Sequence, residues 1–196
     1  IERERALQRQ HRVVISLRFD ERPTEAEEAE RIGRTLLRHL AELLDTRERI
    51  AKVKQTAVRL PTVSVLCLEW AEPPFAAGHW VPEMVEAVGA TNVLGAKGEP
   101  SRTVTHREIR DGNPEVLVYM PSGYYLEEAE AEGERFIAHP EIADTPAVRN
   151  RNAFAVDATS FFSRPGPRIV DGLEILAWAV HPEAYPEPAP GSITRL

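Results

Sequence analysis

The sequence predicts an α/β fold, a parallel sheet flanked by helices and preceded by one long helix. Three observations predict it. Residues 24–60 carry apolar side chains at helical spacing with no proline, residues 63–68 form an unbroken apolar run, and strand-like and helix-like segments alternate from 63 to 180. Such alternation argues for parallel strands joined by helices that cover both faces of a sheet.

Residues 1–10 are almost all polar and are expected to be mobile. In residues 11–19, Val13, Ile15, Leu17 and Phe19 alternate as on one face of a strand. Thr24 followed by Glu27 matches a capping box that opens a helix. Within it Ala29, Leu36, Leu43, Ile50 and Ala57 recur every seventh residue, with Ile32, Leu40 and Val53 beside them. Unbroken, that helix is about 50 Å long at ~1.5 Å per residue. A coiled-coil dimer is one reading, although Arg47 interrupts a seam of only about five heptads. A helix laid across a globular body fits better.

The apolar run 63–68 suits a strand buried on both faces. After a Pro/Gly-rich loop over 69–79, Trp80, Val81, Met84, Val85 and Val88 share one helical face, and Gly89 ends that helix. A short strand is predicted over 92–94, a helix over 103–110, a strand over 116–120 and a helix over 126–136. Residues 140–146 read as irregular or a short helix, 153–156 as the last strand and 166–180 as the last helix. The tail carries Pro182, Pro186, Pro188 and Pro190 and is expected to be extended or disordered.

Composition narrows the functional classes. The chain has 196 residues, 42% hydrophobic and 28% charged, with no apolar run long enough to cross a bilayer. Its net charge of -7 disfavours a nucleic-acid partner, which needs clustered Lys and Arg. Cys67 is the only cysteine, so neither an internal disulfide nor a cysteine-rich zinc site can form. It reads as a small buried hydrophobe. The chain begins at Ile1 and shows no charged-then-apolar export signal, which leaves the compartment open.

In parallel sheets, ligands gather at loops beyond the carboxyl ends of the strands. Those loops are 69–79, 121–125 and 157–168, and they hold most of the conspicuous aromatics. Catalysis is not expected. Ser122 lacks the glycine pattern of a nucleophile elbow because Met120 stands at the first glycine position. Glu69 and Glu72 read as loop charges, and Gly95 and Gly98 lack a phosphate-loop ending. His79 and His106 have no partner at i+4 and no His/Cys cluster is visible, so no metal site is expected.

Three segments at these strand ends resemble one family. They are residues 68–84 (Leu-Glu-Trp-Ala-Glu-Pro-Pro-Phe-Ala-Ala-Gly-His-Trp-Val-Pro-Glu-Met), residues 120–124 (Met-Pro-Ser-Gly-Tyr), and residues 161–168 (Phe-Phe-Ser-Arg-Pro-Gly-Pro-Arg) with 172–176 (Gly-Leu-Glu-Ile-Leu). Together they resemble the cobalamin-binding periplasmic-type substrate-binding proteins of ABC importers, within the cobalamin, siderophore and haem class. The resemblance implies two α/β lobes joined by one long helix, with the ligand between them. It implies that 1–22 is a remnant of the first lobe, 23–60 the connecting helix, 61–183 the carboxy-terminal lobe and 184–196 a Pro-rich tail. The missing lobe is then supplied by another chain, replaced by self-association as a homodimer, or deleted.

The same resemblance implies vitamin uptake without catalysis, with cobalamin or a related corrinoid as ligand, no separate cofactor, an importer permease as partner and a periplasmic or extracytoplasmic location. A corrin is broad, flat and edged with amides, so aromatic planes and a few donors suit it. Trp70, Phe75, Trp80, Tyr124, Phe161 and Phe162 are the candidate planes, although core packing serves equally well for Trp80 and Phe162. Arg164 is the candidate donor, the alternative being that Arg164 or Arg168 pairs with Glu69 or Asp157. Two positions depart from the family: Ser122 stands where Cys is common, and His106 near a usual Trp. Family members dock on the permease through acidic residues, for which Glu108 is the nearest candidate. A ferric siderophore or haem in the same cleft, or a ligand-free scaffold dimerising through the long helix, are the alternatives.

Overall fold

The computed structural model describes residues 24–196. The expected polar segment 1–10, the strand over 11–19 and the whole first-lobe remnant 1–22 lie outside the described residues. Helix α1 runs Glu25–Ala57 without interruption. Its start is the capping box read from the sequence: the Thr24 amide donates to Glu27 Oε2 at 2.8 Å, and the Glu27 amide donates to Thr24 Oγ1 at 3.3 Å.

The chain divides within this helix into two units, one ending at Leu44 and the other running Asp45–Leu196. In the first, Arg31–Glu28, Arg34–Glu30 and Arg38–Glu42 pair one turn apart. Ile32, Leu36, Leu37, Leu40, Leu43 and Leu44 are exposed. In the second, Val53 and Ala57 are buried and Ile50 packs beside them. Arg49 Nη2 donates to Asp171 and Glu174, both at 2.6 Å, on helix α8 (Ile169–Val180). The two carboxylates hold its guanidinium firmly protonated.

The second unit is built on a seven-stranded sheet: β1 (Ser64–Ala71), β2 (Pro74–Ala76), β3 (Thr91–Asn92), β4 (Arg102–Thr103), β5 (Val116–Tyr119), β6 (Ala153–Val156) and β7 (Ile193–Arg195). The order is β4-β2-β1-β5-β6-β7, with β3 also on β1. β3, β1, β5 and β6 are parallel, as the alternation predicts. β2 and β7 run antiparallel to β1 and β6, and β4 pairs antiparallel with β2, so the sheet is mixed. The reason for β2 is chain length: two residues separate it from β1, enough for a hairpin and too few for a crossover. The tail also departs from expectation. Its prolines all precede Ile193, so the three residues that need backbone donors are free to pair with β6.

The remaining helices are α2 (Val81–Ala87), α3 (His106–Gly112), α4 (Leu126–Ile137), α5 (Pro140–Ala143), α6 (Pro146–Arg149) and α7 (Ala158–Phe161). The helix expected from 103 begins at His106, because Thr105 forms a capping box with Glu108 and the two residues before Val104 join the sheet as β4. Side chains of the central strands alternate between two apolar clusters. Val65, Cys67, Val118, Met120 and Val156 pack with α2 and α8, while Leu66, Leu68, Leu117, Tyr119 and Ala153 pack with Phe136 and Ile142. Cys67 is fully buried, and burial pushes its thiol pKa up, leaving it inert. At Gly172 a Cβ would lie 2.5 Å from the Phe161 carbonyl oxygen, so only glycine lets α8 approach α7 this closely. Among the described residues no helix is long and apolar enough to cross a membrane.

Candidate functional site

The loops that follow β1, β5 and β6 meet at one end of the parallel strands. A cavity of about 250 Å³ opens there, lined by Glu69, His79, Trp80, Val81, Met120, Ser122, Phe162 and Ser163. Main-chain bonds tie the loops together: the Ser122 amide donates to the Glu69 carbonyl at 3.3 Å, and the Thr159 amide to the Tyr124 carbonyl at 3.1 Å. Trp80 Nε1 donates to the Phe162 carbonyl at 3.2 Å. Trp80 therefore both walls the cavity and braces the loop opposite.

The predicted aromatics fall into three groups. Trp70 and Tyr124 meet edge to face, with ring centroids 5.4 Å apart, and the β1–β2 register sets Phe75 opposite Trp70. Trp80 and Phe162 line the cavity itself. Phe161 does neither. It borders a larger cavity, of about 410 Å³, between α1, α8 and residues 184–192, and the Arg168 guanidinium stands 5.8 Å from its ring. We give the smaller cavity more weight as a ligand site, because it sits at the strand ends and the larger one is roofed by the chain's own proline-rich tail. Arg164 is exposed, and among the described residues neither it nor Arg168 pairs with Glu69 or Asp157. Glu69 instead accepts from Ser101 Oγ at 2.5 Å, and Asp157 caps α7 by accepting from the Ser160 amide at 2.9 Å.

Several contributors carry no readable signal in the sequence. Ser101 lies in a polar loop without a pattern, yet its hydroxyl joins Glu69 to the Gly78 amide, 3.1 Å away, and so steadies the cavity rim. Ser163 Oγ and Thr159 Oγ1 are buried without a hydrogen-bond partner among the described residues. Such groups are costly unless something else satisfies them. Ser122 and His79 share the cavity, but no hydrogen bond joins them, so they do not form a nucleophile–base pair.

Two further residues have partners that the sequence does not show. Glu108, the docking candidate, is partly exposed and accepts from the Thr105 amide at 2.8 Å and from Arg102 at 3.0 Å. These contacts, led by the Thr105 amide, hold its carboxyl pKa below the ordinary value. His106 is not isolated: its ring stacks on that of His139, with centroids 3.9 Å apart and planes within 10°. Burial first, and His139 second, lower the pKa of His106. One nitrogen of each histidine and an oxygen of Glu141 lie within 4.8 Å of one another. No i,i+4 spacing could reveal this cluster, because strand β5 and helix α4 separate its members in the chain.

No family model and no curated protein match the sequence. Solved structures do match. A periplasmic heme-binding protein from Pseudomonas aeruginosa superposes on 81% of this chain and 58% of its own, at 23% identity and a TM-score of 0.66. An ABC transporter substrate-binding protein from Listeria monocytogenes matches 74% of this chain and 57% of its own, at 16% identity and 0.65. A periplasmic vitamin B12 binding protein from Vibrio cholerae matches 68% and 50%, at 21% identity and 0.56. The fold is that of a single lobe of a periplasmic binding protein. The chain spans little more than half the length of these proteins.

Proposed function

We propose that this chain provides one wall of the ligand site in the substrate-binding component of an ABC importer, acting outside the cytoplasm and without catalysis. The proposed ligand is cobalamin or a related corrinoid. The observation that carries this reading is the Trp70–Tyr124 aromatic pair together with the cavity walled by Trp80 and Phe162, in the loops at the carboxyl ends of parallel strands. Edge-to-face rings offer a broad apolar surface to a flat ligand. Ser163 Oγ, buried and unpartnered, offers a hydrogen bond to a peripheral amide. Phe75 extends the aromatic surface from β2, and the exposed Arg164 is free to reach carboxylate or amide oxygens. Phe161 contributes less directly, by holding Arg168.

A cavity of about 250 Å³ is too small to enclose a macrocycle, which fits a single wall of a larger site. The permease would then meet this lobe through a surface acid, with Glu108, whose side chain is partly exposed, as the candidate. A second reading, haem or a ferric siderophore in the same place, is favoured by one observation. The heme-binding protein from Pseudomonas aeruginosa superposes over more of this chain than the vitamin B12 binding protein does. Titrating the purified chain with cyanocobalamin, hemin and a ferric siderophore, followed by absorbance and tryptophan quenching, separates the readings. Saturable cyanocobalamin binding that W70A and Y124A weaken at least ~10-fold supports the corrinoid. Saturation by hemin or siderophore alone overturns it in favour of the second reading, and saturation by none overturns both.

A further inference from the structure

We infer that His106, His139 and Glu141 form a binding site for a divalent transition-metal ion, independent of the ligand site proposed above. Three helices build it. His106 is the first residue of α3, and the Thr105–Glu108 capping box fixes where that helix starts. His139 caps α5, and Glu141 lies in its first turn. Phe136, near the end of α4, packs beside the His106 ring with centroids 5.7 Å apart and gives the pair an apolar floor.

The donor set is two imidazole nitrogens and one carboxylate oxygen, with the three ligand atoms within 4.8 Å of one another. A shared ion would sit ~2.0–2.2 Å from each atom, so binding draws the three ligand atoms closer together. Two nitrogens with one oxygen suit zinc, nickel, cobalt or copper, whereas magnesium and calcium prefer oxygen alone. Three protein ligands leave a fourth position for water or an anion.

The neighbouring bonds favour this use. His139 Nδ1 accepts from the Glu141 amide at 3.3 Å, a long bond that an ion at this nitrogen would displace. Among the described residues the His106 ring makes no hydrogen bond, so its nitrogens are uncommitted. Arg110 Nη1 donates to Glu141 Oε1 at 3.0 Å, which orients the carboxylate and leaves Oε2 for the ion. An outer partner of that kind is common around metal ligands. The two imidazoles stack face to face, and one ion between their nitrogens and Glu141 would link α3 to α5.

The test is calorimetric titration of the whole, tag-free chain with zinc chloride and nickel chloride, alongside thermal melts. One ion per chain is expected, with a melting temperature that rises on adding metal. H106Q and H139Q should each weaken binding by at least ~10-fold, and R110M by less. H39Q, at an exposed histidine of α1, serves as the control and should bind as the unchanged chain does. Circular dichroism establishes that each variant is folded. Cobalt substitution gives a readout that folding cannot imitate: visible d–d bands of a low-coordinate site, absent in E141Q. Binding that survives in H106Q and H139Q, or no binding at millimolar metal, overturns the inference.

Discussion

The two ends of helix α1 carry the same heptad pattern and meet opposite fates. Toward the carboxyl end, Val53 is 3% exposed and Ala57 is buried against the sheet's helices. Toward the amino end, Leu36 and Leu37 are 63% and 68% exposed. The difference teaches that periodicity specifies an apolar stripe and says nothing about what covers it. Six large apolar residues left open over three turns of helix are uncommon on a monomer's surface.

The comparison can be broken most forcefully at Val53. A carboxylate there, in V53D, should cost at least about 3 kcal/mol by urea denaturation, while L40D should cost under about 1 kcal/mol. Equal costs would mean that the two ends are not different environments. Next, the triple variant L36S/L40S/L43S should reduce concentration-dependent association at least ~10-fold by sedimentation velocity, since each leucine is worth ~1.5 kcal/mol or more when covered. Its melting temperature should barely move. A sedimentation coefficient that stays constant with concentration in both proteins would show that no second copy covers the stripe.

A smaller effect separates packing from charge at the buried end. R49M keeps the stem and removes the fork that holds Asp171 and Glu174, and should cost about 1 kcal/mol, because the group is partly exposed and solvent screens it. High salt should narrow the gap between R49M and the unchanged chain. Smallest of all is the pH response at the open end. The Thr24 amide, and then its hydroxyl, hold the Glu27 carboxyl pKa below its ordinary value of 4.5. The folded value is depressed, so the contribution is present above pH 4.5 and is lost as pH falls through the folded value. Hydrogen exchange at the Glu27 and Glu28 amides should accelerate in that window, and E27Q should remove the pH dependence.

Much of the architecture was legible because the central strands are buried on both faces. That forces continuous apolar runs such as Val65–Leu68 and Val116–Met120, which chemistry alone identifies. Strands β4 and β7 were not legible. They are two and three residues long, and only their partners make them strands. At the site, the loops rich in aromatics could be named, but adjacent Phe161 and Phe162 could not be told apart. One borders the tail-roofed cavity and the other the strand-end cavity. The His106–His139 stack escaped for a related reason: it depends on how α3 and α5 pack, which no local spacing encodes.

Cys67 has a practical consequence. It sits at 0% exposure in β1, paired on one side with β5 through the Cys67–Val118 register, and no other sulfhydryl exists in the chain. A thiol reagent therefore finds its target only when the middle of the sheet comes apart. The rate of modification under native conditions becomes a clock for that event, readable without any mutation, and a ligand that grips the strand ends would slow it.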